Sequence, residues 1–298
     1  MKLSNLNSFI EIAKSKHGKI IAVAAAEDDN VLSAVTAAKE QGIASAILVG
    51  NKEKIIKIAA EENLDISSFE IIEENIPAIA ARKAVSLIRE SKAHILMKGM
   101  VGTADFLRAV LDKDNGLREG ALLSHIGFFE IDAYHKVLAL TDAAQNIAPD
   151  LKEKTAIIKN AIKAFHRFGI AQPKIGLLAP VEVVNPKMES TTDAALLTMM
   201  SKRKQIKGAI IDGPLAFDNI VSKEAAEHKG LVSDVAGDAD LIVAPNIETA
   251  NALYKSFTYF GKATVAAIIL GAAAPIVLTS RADSDRSKLM SIALAASY

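Results

Sequence analysis

With 298 residues, 50% of them apolar and 23% charged, the chain is long enough for more than one hydrophobic core. Its 35 basic side chains match its 35 acidic ones, so no net field points to nucleic acid or to an anionic membrane surface. Cysteine is absent, which removes disulfides, thiolate metal sites and a Cys nucleophile, and fits a reducing cytoplasm.

In chain order, residues 1–9 lack the apolar core of a signal peptide and read as the start of an amphipathic helix. Residues 19–25 predict a buried strand. The acidic turn Glu27-Asp28-Asp29-Asn30 follows, its carboxylates suited to the unpaired N–H groups of a helix over 31–41. Gly42 closes that helix and 45–50 is the next strand. Helices over 52–61 and 76–90, a strand over 94–99 and a helix over 103–111 continue the alternation. This rhythm predicts right-handed βαβ crossovers and a largely parallel sheet.

The rhythm changes at 124–131 and 136–141, strand-like runs joined through Asp132-Ala133-Tyr134-His135 with no helix between them. That antiparallel insertion marks the crossover to a second domain. Alternation resumes with a helix over 151–168, a strand over 174–179, a helix over 193–203 and strands over 208–212, 240–245 and 265–269. A last strand over 276–278 leads to a helix over 287–296. The chain is therefore expected to be α/β, with residues 1–133 plus 270–298 in one domain and 134–269 in the other. No linker-like tract or repeat appears, so the domains are expected to be tightly joined around a cleft. The uncharged run 263–280 approaches the ~20 residues of a transmembrane helix, but Gly271 to Pro275 breaks it into pieces of strand length. No membrane association is expected.

Ligands of open α/β sheets gather beyond the carboxyl ends of strands, and the chemistry is sought there. The last strand runs into Thr279-Ser280-Arg281-Ala282-Asp283-Ser284-Asp285, whose hydroxyls, guanidinium and carboxylates suit holding an anion and moving a proton. Lys98-Gly99-Met100-Val101-Gly102-Thr103 places glycines before a helix start, a pattern suited to phosphate, although a tight turn with a solvated lysine accounts for it as well. It is not a Walker motif, because the lysine precedes the glycines. Arg118, between Gly116 and Gly120, has the fork geometry for an anion or is an ordinary surface arginine. Asp142 and Asn146 follow a strand end, where helix capping is the alternative role. Asp212 and Asp218 flank Gly213-Pro214 and either line a cleft or form a turn. Asn246 and Asn251 lie on a helix start, with Lys255 on the face of Asn251. The 6 histidines show no HxxxH or HExxH spacing, so no metal is expected. No GxSxG elbow appears, and no GxGxxG follows a strand.

Several segments occur in order: KGMVGTADFLRAVL from Lys98, LTDAAQNIAPDL from Leu140, IDGPLAFDN from Ile211, APNIETANALYK from Ala244 and LTSRADSD from Leu278. Together they resemble the phosphate acetyltransferase/phosphate butyryltransferase family over nearly the whole chain. The short length and IDGPLAFDN favour the butyryltransferase branch. The resemblance implies two α/β domains around a cleft, as in isocitrate and isopropylmalate dehydrogenases, in a homodimer or larger homo-oligomer. It implies the reaction acyl-CoA + phosphate ⇌ acyl phosphate + CoA, with CoA as substrate or product and no cofactor. Ser280 and Arg281 match the family's acyl-phosphate-binding pair. The family's aspartate acting on the CoA thiol falls here on Ser287, which leaves Asp283 and Asp285 as alternative carboxylates. The expected substrate-binding set is Lys98, Gly99, Thr103, Arg118, Asp142, Asn146, Asp212, Asn246 and Asn251. Met100, Phe106, Leu215 and Phe217 are candidates for the acyl-chain wall, with core packing as their other role. Rival readings are an NAD- and metal-dependent dehydrogenase of the same architecture, and a non-catalytic sensor of CoA or acyl phosphate.

Overall fold

The computed structural model describes residues 3–120, 122–278 and 283–298. The chain begins with α1 (Asn7–Ser15), β1 (Ile20–Ala24), α2 (Asp29–Glu40), β2 (Ser45–Gly50), α3 (Lys52–Glu61), β3 (Glu70–Glu73), α4 (Pro77–Arg89), β4 (Ile95–Lys98) and α5 (Thr103–Val110). Helix starts follow local chemistry. Asp28 accepts from the Val31 N–H at 2.9 Å, Asn51 from that of Lys54 at 2.8 Å, and Pro77 opens α4, where its missing N–H is harmless.

Next come β5 (Ser124–Glu130), β6 (Leu138–Thr141), α6 (Leu151–Arg167), β7 (Lys174–Leu178), α7 (Glu189–Lys202), β8 (Ile210–Leu215), α8 (Phe217–Val221), α9 (Lys223–His228), β9 (Leu241–Val243) and α10 (Ile247–Tyr259). A capping box of Asp150 and Glu153 starts α6. The chain ends with β10 (Thr264–Leu270), β11 (Ile276–Val277) and α11 (Asp285–Ser297). Thus residues 264–270 and 276–277 of the uncharged run form strands, and among the described residues no helix is long and apolar enough to cross a membrane.

Two compact units result: Asn7–Ala121 with Ala266–Tyr298, here the terminal unit, and Met1–Leu6 with Leu122–Val265, the central unit. The sequence reading divides the chain at 133/134 and 269/270, whereas the units divide at 6/7, 121/122 and 265/266. β5 pairs with β6 and stays with it.

In the terminal unit the strand order is β3-β2-β1-β4-β11-β10, parallel except for β10 against β11. β1 is apolar on both faces, as a parallel strand covered by helices should be. α11 is buried nearly all round and packs on α1 and α2. In the central unit the order is β5-β6-β9-β7-β8, antiparallel only at β5–β6. Phe128 on β5 meets Phe165 and Phe168 at centroid distances of 5.4 and 5.7 Å, tilted and edge-on.

Candidate active site

In the central unit, the segments leaving β6 and β9 are laced together. Ala244 N–H donates to Thr141 O at 2.9 Å and Ile247 N–H to Ile147 O at 2.9 Å. Asp142 is buried in the turn after β6. One of its oxygens accepts from the Ala144 and Gln145 N–H groups at 3.0 and 2.9 Å, and the other from Asn146 Nδ2 at 2.6 Å. Asn146 Nδ2 also donates to Leu123 O at 2.8 Å, which leaves its Oδ1 as the acceptor able to meet a ligand. Asn251 Nδ2 donates to Ala143 O at 3.2 Å, and Asn246 Oδ1 caps α10 by accepting from Thr249 N–H at 2.9 Å. The structure therefore brings Asp142, Asn146, Asn246 and Asn251 into one wall, in which Asp142 and Asn146 also order the turn after β6, Asn246 caps α10, and Asn251, inside α10, ties that helix to Ala143.

Beside this wall a cavity of about 650 Å³ opens at the ends of β7, β8 and β9. Leu178, Ala179, Pro180, Phe217 and Leu253 supply apolar lining, while Asn246, Thr249, Ser190, Glu189 and Lys154 supply the polar groups. Lys154 is a buried cation whose Nζ lies 2.6 Å from Asp193 Oδ2, joining α6 to α7. Sequence reasoning missed this pair. The available signal was a lysine on the apolar stripe of α6, between Leu151 and Ile158.

Asp212 is placed differently from the expectation. β8 continues past it to Leu215, so Asp212 lies mid-strand in register with Gly176 rather than at a strand end. The strand continues because Gly213 fits against Leu177, where a Cβ would come within 2.6 Å of the Leu177 Cβ. Among the wall candidates, Leu215 and Phe106 are core residues, Met100 is exposed and Phe217 lines the cavity.

In the terminal unit, the glycine turn after β4 has its own structural use. Gly99 and Met100 N–H groups donate to Ala24 O and Ala25 O at 2.9 and 2.7 Å, so they are already engaged. A Cβ on Gly99 would lie 2.1 Å from Ala25 O, which explains the glycine by close backbone approach. Lys98 Nζ donates to Gly99 O at 3.2 Å. Thr103 is exposed at the start of α5, a helix whose Gly102 cap supplies no side-chain hydrogen bond to the first-turn N–H groups.

Arg118 is exposed, and its backbone bridges to Ala272 on the segment that leads into β11. That segment continues towards Ser280 and Arg281, which lie outside the described residues. Beyond them, Asp283 is half-buried. Ser284 Oγ accepts from Ser287 N–H at 3.2 Å and caps α11. Asp285 is exposed in the first turn, 3.7 Å from Lys288 Nζ. Ser287, where the family pattern carries its aspartate, is a buried serine.

Among the described residues, no group of 3 or more His, Asp or Glu side chains is gathered as metal ligands would be. A strongly perturbed carboxylate lies away from this wall, at the amino ends of β6, β7 and β9. Burial pushes Asp238 upward, but hydrogen bonds from Lys174, His135 and Lys136 outweigh it and hold the carboxyl well below its ordinary range. That cluster ties strand starts together.

The family described as phosphate acetyl/butaryl transferase matches residues 5–80 and 74–296. A phosphate butyryltransferase of Clostridium acetobutylicum is 50% identical over 99% of this chain and 98% of its own length. A phosphate acetyltransferase of Thermotoga maritima is 41% identical over 98% of this chain and 99% of its own length. A crystal structure of a branched-chain phosphotransacylase from Enterococcus faecalis V583 is similar at a TM-score of 0.83 and 34% identity, covering 93% of this chain and 98% of that one. The chain belongs to the phosphate acetyl/butaryl transferase family.

Proposed function

We propose that the protein is a phosphate acyltransferase that interconverts butyryl-CoA, or another short-chain acyl-CoA, and phosphate with the acyl phosphate and CoA. The observation that carries this reading is the 50% identity with a phosphate butyryltransferase over nearly all of both chains. The cavity at the ends of β7, β8 and β9 supports it, because its apolar lining beside Asn246 and Thr249 suits an acyl chain whose polar head must stay outside.

In this reading the transfer is direct. A phosphate oxygen attacks the thioester carbon, and the tetrahedral intermediate expels CoA thiolate; in reverse, the thiolate attacks the acyl phosphate carbon and expels phosphate. Arg281 neutralises the phosphate, with Arg118 as a second cation, and Ser280 donates to the developing oxyanion. The first-turn N–H groups of α5 near Thr103 are further donors for phosphate. A free thiol titrates near ~8.5, so Asp283 or Asp285 takes its proton before attack. No cofactor and no metal enters this scheme. The same reading carries an isocitrate/isopropylmalate dehydrogenase-like arrangement, a homodimer or larger assembly and a cytoplasmic location.

A second reading, phosphate acetyltransferase, is supported by the 41% identical Thermotoga maritima protein. The test is thiol release from butyryl-CoA and from acetyl-CoA in the presence of phosphate, using the purified full chain. Faster turnover of butyryl-CoA is expected. Faster acetyl-CoA turnover selects the second reading, and no release from either identifies a non-catalytic binder.

A further inference from the structure

A cationic depression lies on the central unit, formed by the last turns of α6 and the segment joining α7 to β8. Its volume is about 460 Å³, and its lining is Lys159, Ile162, Lys163, His166, Arg167 and Lys207. No carboxylate lines it, although the chain as a whole carries 35 acidic side chains against 35 basic ones. Among the described residues, no Asp or Glu oxygen lies within 4.0 Å of the Lys159, Lys163 or Lys207 ammonium groups. The groove between α4 and α5 is a useful contrast. It also gathers arginines, Arg82, Arg89 and Arg108, but Asp105 and Asp112 stand among them.

The depression is a built feature rather than a chance gathering of long side chains. His166 Nε2 is 2.8 Å from Gly208 O, which ties α6 to the segment carrying Lys207. Gly208 has φ +85, and a Cβ there would fall 2.5 Å from His166 Cε1. Only glycine allows this docking, and the docking is what sets Lys207 against the helix. Complementing the negative end of the α6 dipole accounts for His166 and Arg167 in the last turn. It does not account for Lys159, more than a turn earlier, or for Lys207 on another segment.

We propose that this depression is a binding site for a polyphosphate group, distinct from the acyl-transfer site. Lys159 and Arg167 are separated by about 12 Å along the helix at ~1.5 Å per residue, a span a single phosphate does not bridge and a chain of phosphoryl groups does. No Phe, Tyr or Trp lines it, and its single imidazole, His166, is held against Gly208 O at 2.8 Å, so recognition rests on charge. The ligand is therefore any small anion carrying a run of phosphoryl groups, whether inorganic or the tail of a nucleotide.

Isothermal titration of the full chain with sodium tripolyphosphate, ATP, orthophosphate and CoA tests the site. Tripolyphosphate and ATP are expected to bind with similar affinity and orthophosphate far more weakly, with affinity falling as salt rises. The K163E/K207E variant, checked for folding by circular dichroism, is expected to raise the tripolyphosphate Kd by about tenfold or more through charge reversal. A control reversal elsewhere, K57E, is expected to leave it unchanged. ATP binding without tripolyphosphate binding would show base recognition and overturn the proposal. Equal binding by wild type and K163E/K207E would overturn it too, as would loss of CoA affinity in that variant, which would make the patch part of the substrate site. Because binding is read directly, the result stands whether or not the acyltransferase reading holds.

Discussion

Lys154 Nζ lies 2.6 Å from Asp193 Oδ2, and both side chains are largely withdrawn from water on the wall of the central-unit cavity. Each charge is tolerable only because of the other. Lys154→Met should destabilise the protein by about 3–5 kcal/mol, since it strands the Asp193 carboxylate in a dry setting. The K154M/D193L double variant should be clearly more stable than the single one, because it removes both desolvated charges. Urea unfolding midpoints of the three proteins check this. A double variant no more stable than K154M would mean that the pair is not coupled.

Arg281→Ala should reduce turnover of acyl-CoA and phosphate by at least about 10²-fold, the usual effect of losing a group that stabilises transition-state charge. Folding should be intact by circular dichroism. Near-normal turnover would remove Arg281 from the proposed clamp.

The carboxylates beside that clamp are no longer equivalent. Asp285 is 80% exposed in the first turn of α11 and faces Lys288, whereas Asp283 is half-buried. Asp283→Asn should therefore lower kcat more than Asp285→Asn, by the ~10²–10⁴-fold typical of a general base. Steady-state rates of the two variants in the direction of thiolate attack decide between them. If both remain fast, the base lies elsewhere.

Phe217 contributes aromatic lining to the cavity. Phe217→Ala should shift selectivity towards longer acyl chains, with each methylene worth about 1–3 kcal/mol in kcat/KM. A series of acyl-CoA substrates of increasing length tests this, and an unchanged order would place the acyl chain outside the cavity.

Gly99→Ala separates two roles for the turn after β4. The added Cβ would meet the Ala25 carbonyl at 2.1 Å, so the expected effect is a loss of about 1–3 kcal/mol from overpacking. KM for phosphate should not change. A raised KM with unchanged thermal stability would instead assign the turn to the ligand.

Acid should act through Asp238. Its folded-state carboxyl is held below the ordinary value, so its contribution is present above the unfolded pKa of ~3.9 and is lost as pH falls towards the lower folded value. Asp238→Asn should lower the urea midpoint at pH 7, and the gap from wild type should narrow below about pH 4. A gap that is constant with pH would show that Asp238 acts through packing rather than charge.

Local pattern alone determined much of the architecture. Apolar runs such as Ile20–Ala24 and Ser45–Gly50, each followed by a capping Asp or Asn, announced strand and helix in turn, because caps and side-chain periodicity act over a few residues. The family was legible as a resemblance carried by the ordered motifs, not by caps or periodicity. β3 is not legible in the sequence because Glu70–Glu73 is a short edge strand with little burial to write into its pattern. α8 and α9 are likewise too short to show a period. Only the tertiary structure decided what the polar residues do. The Ala25 carbonyl explains the glycine at Gly99 by close approach, and Asp212 lies mid-strand because β8 continues beside β7. Lys154 reads as a misplaced charge until α7 delivers Asp193, and Lys207 as a surface lysine until Gly208 docks it on α6. Each of those outcomes depends on partners far along the chain, brought near by burial of the strands and helices between them.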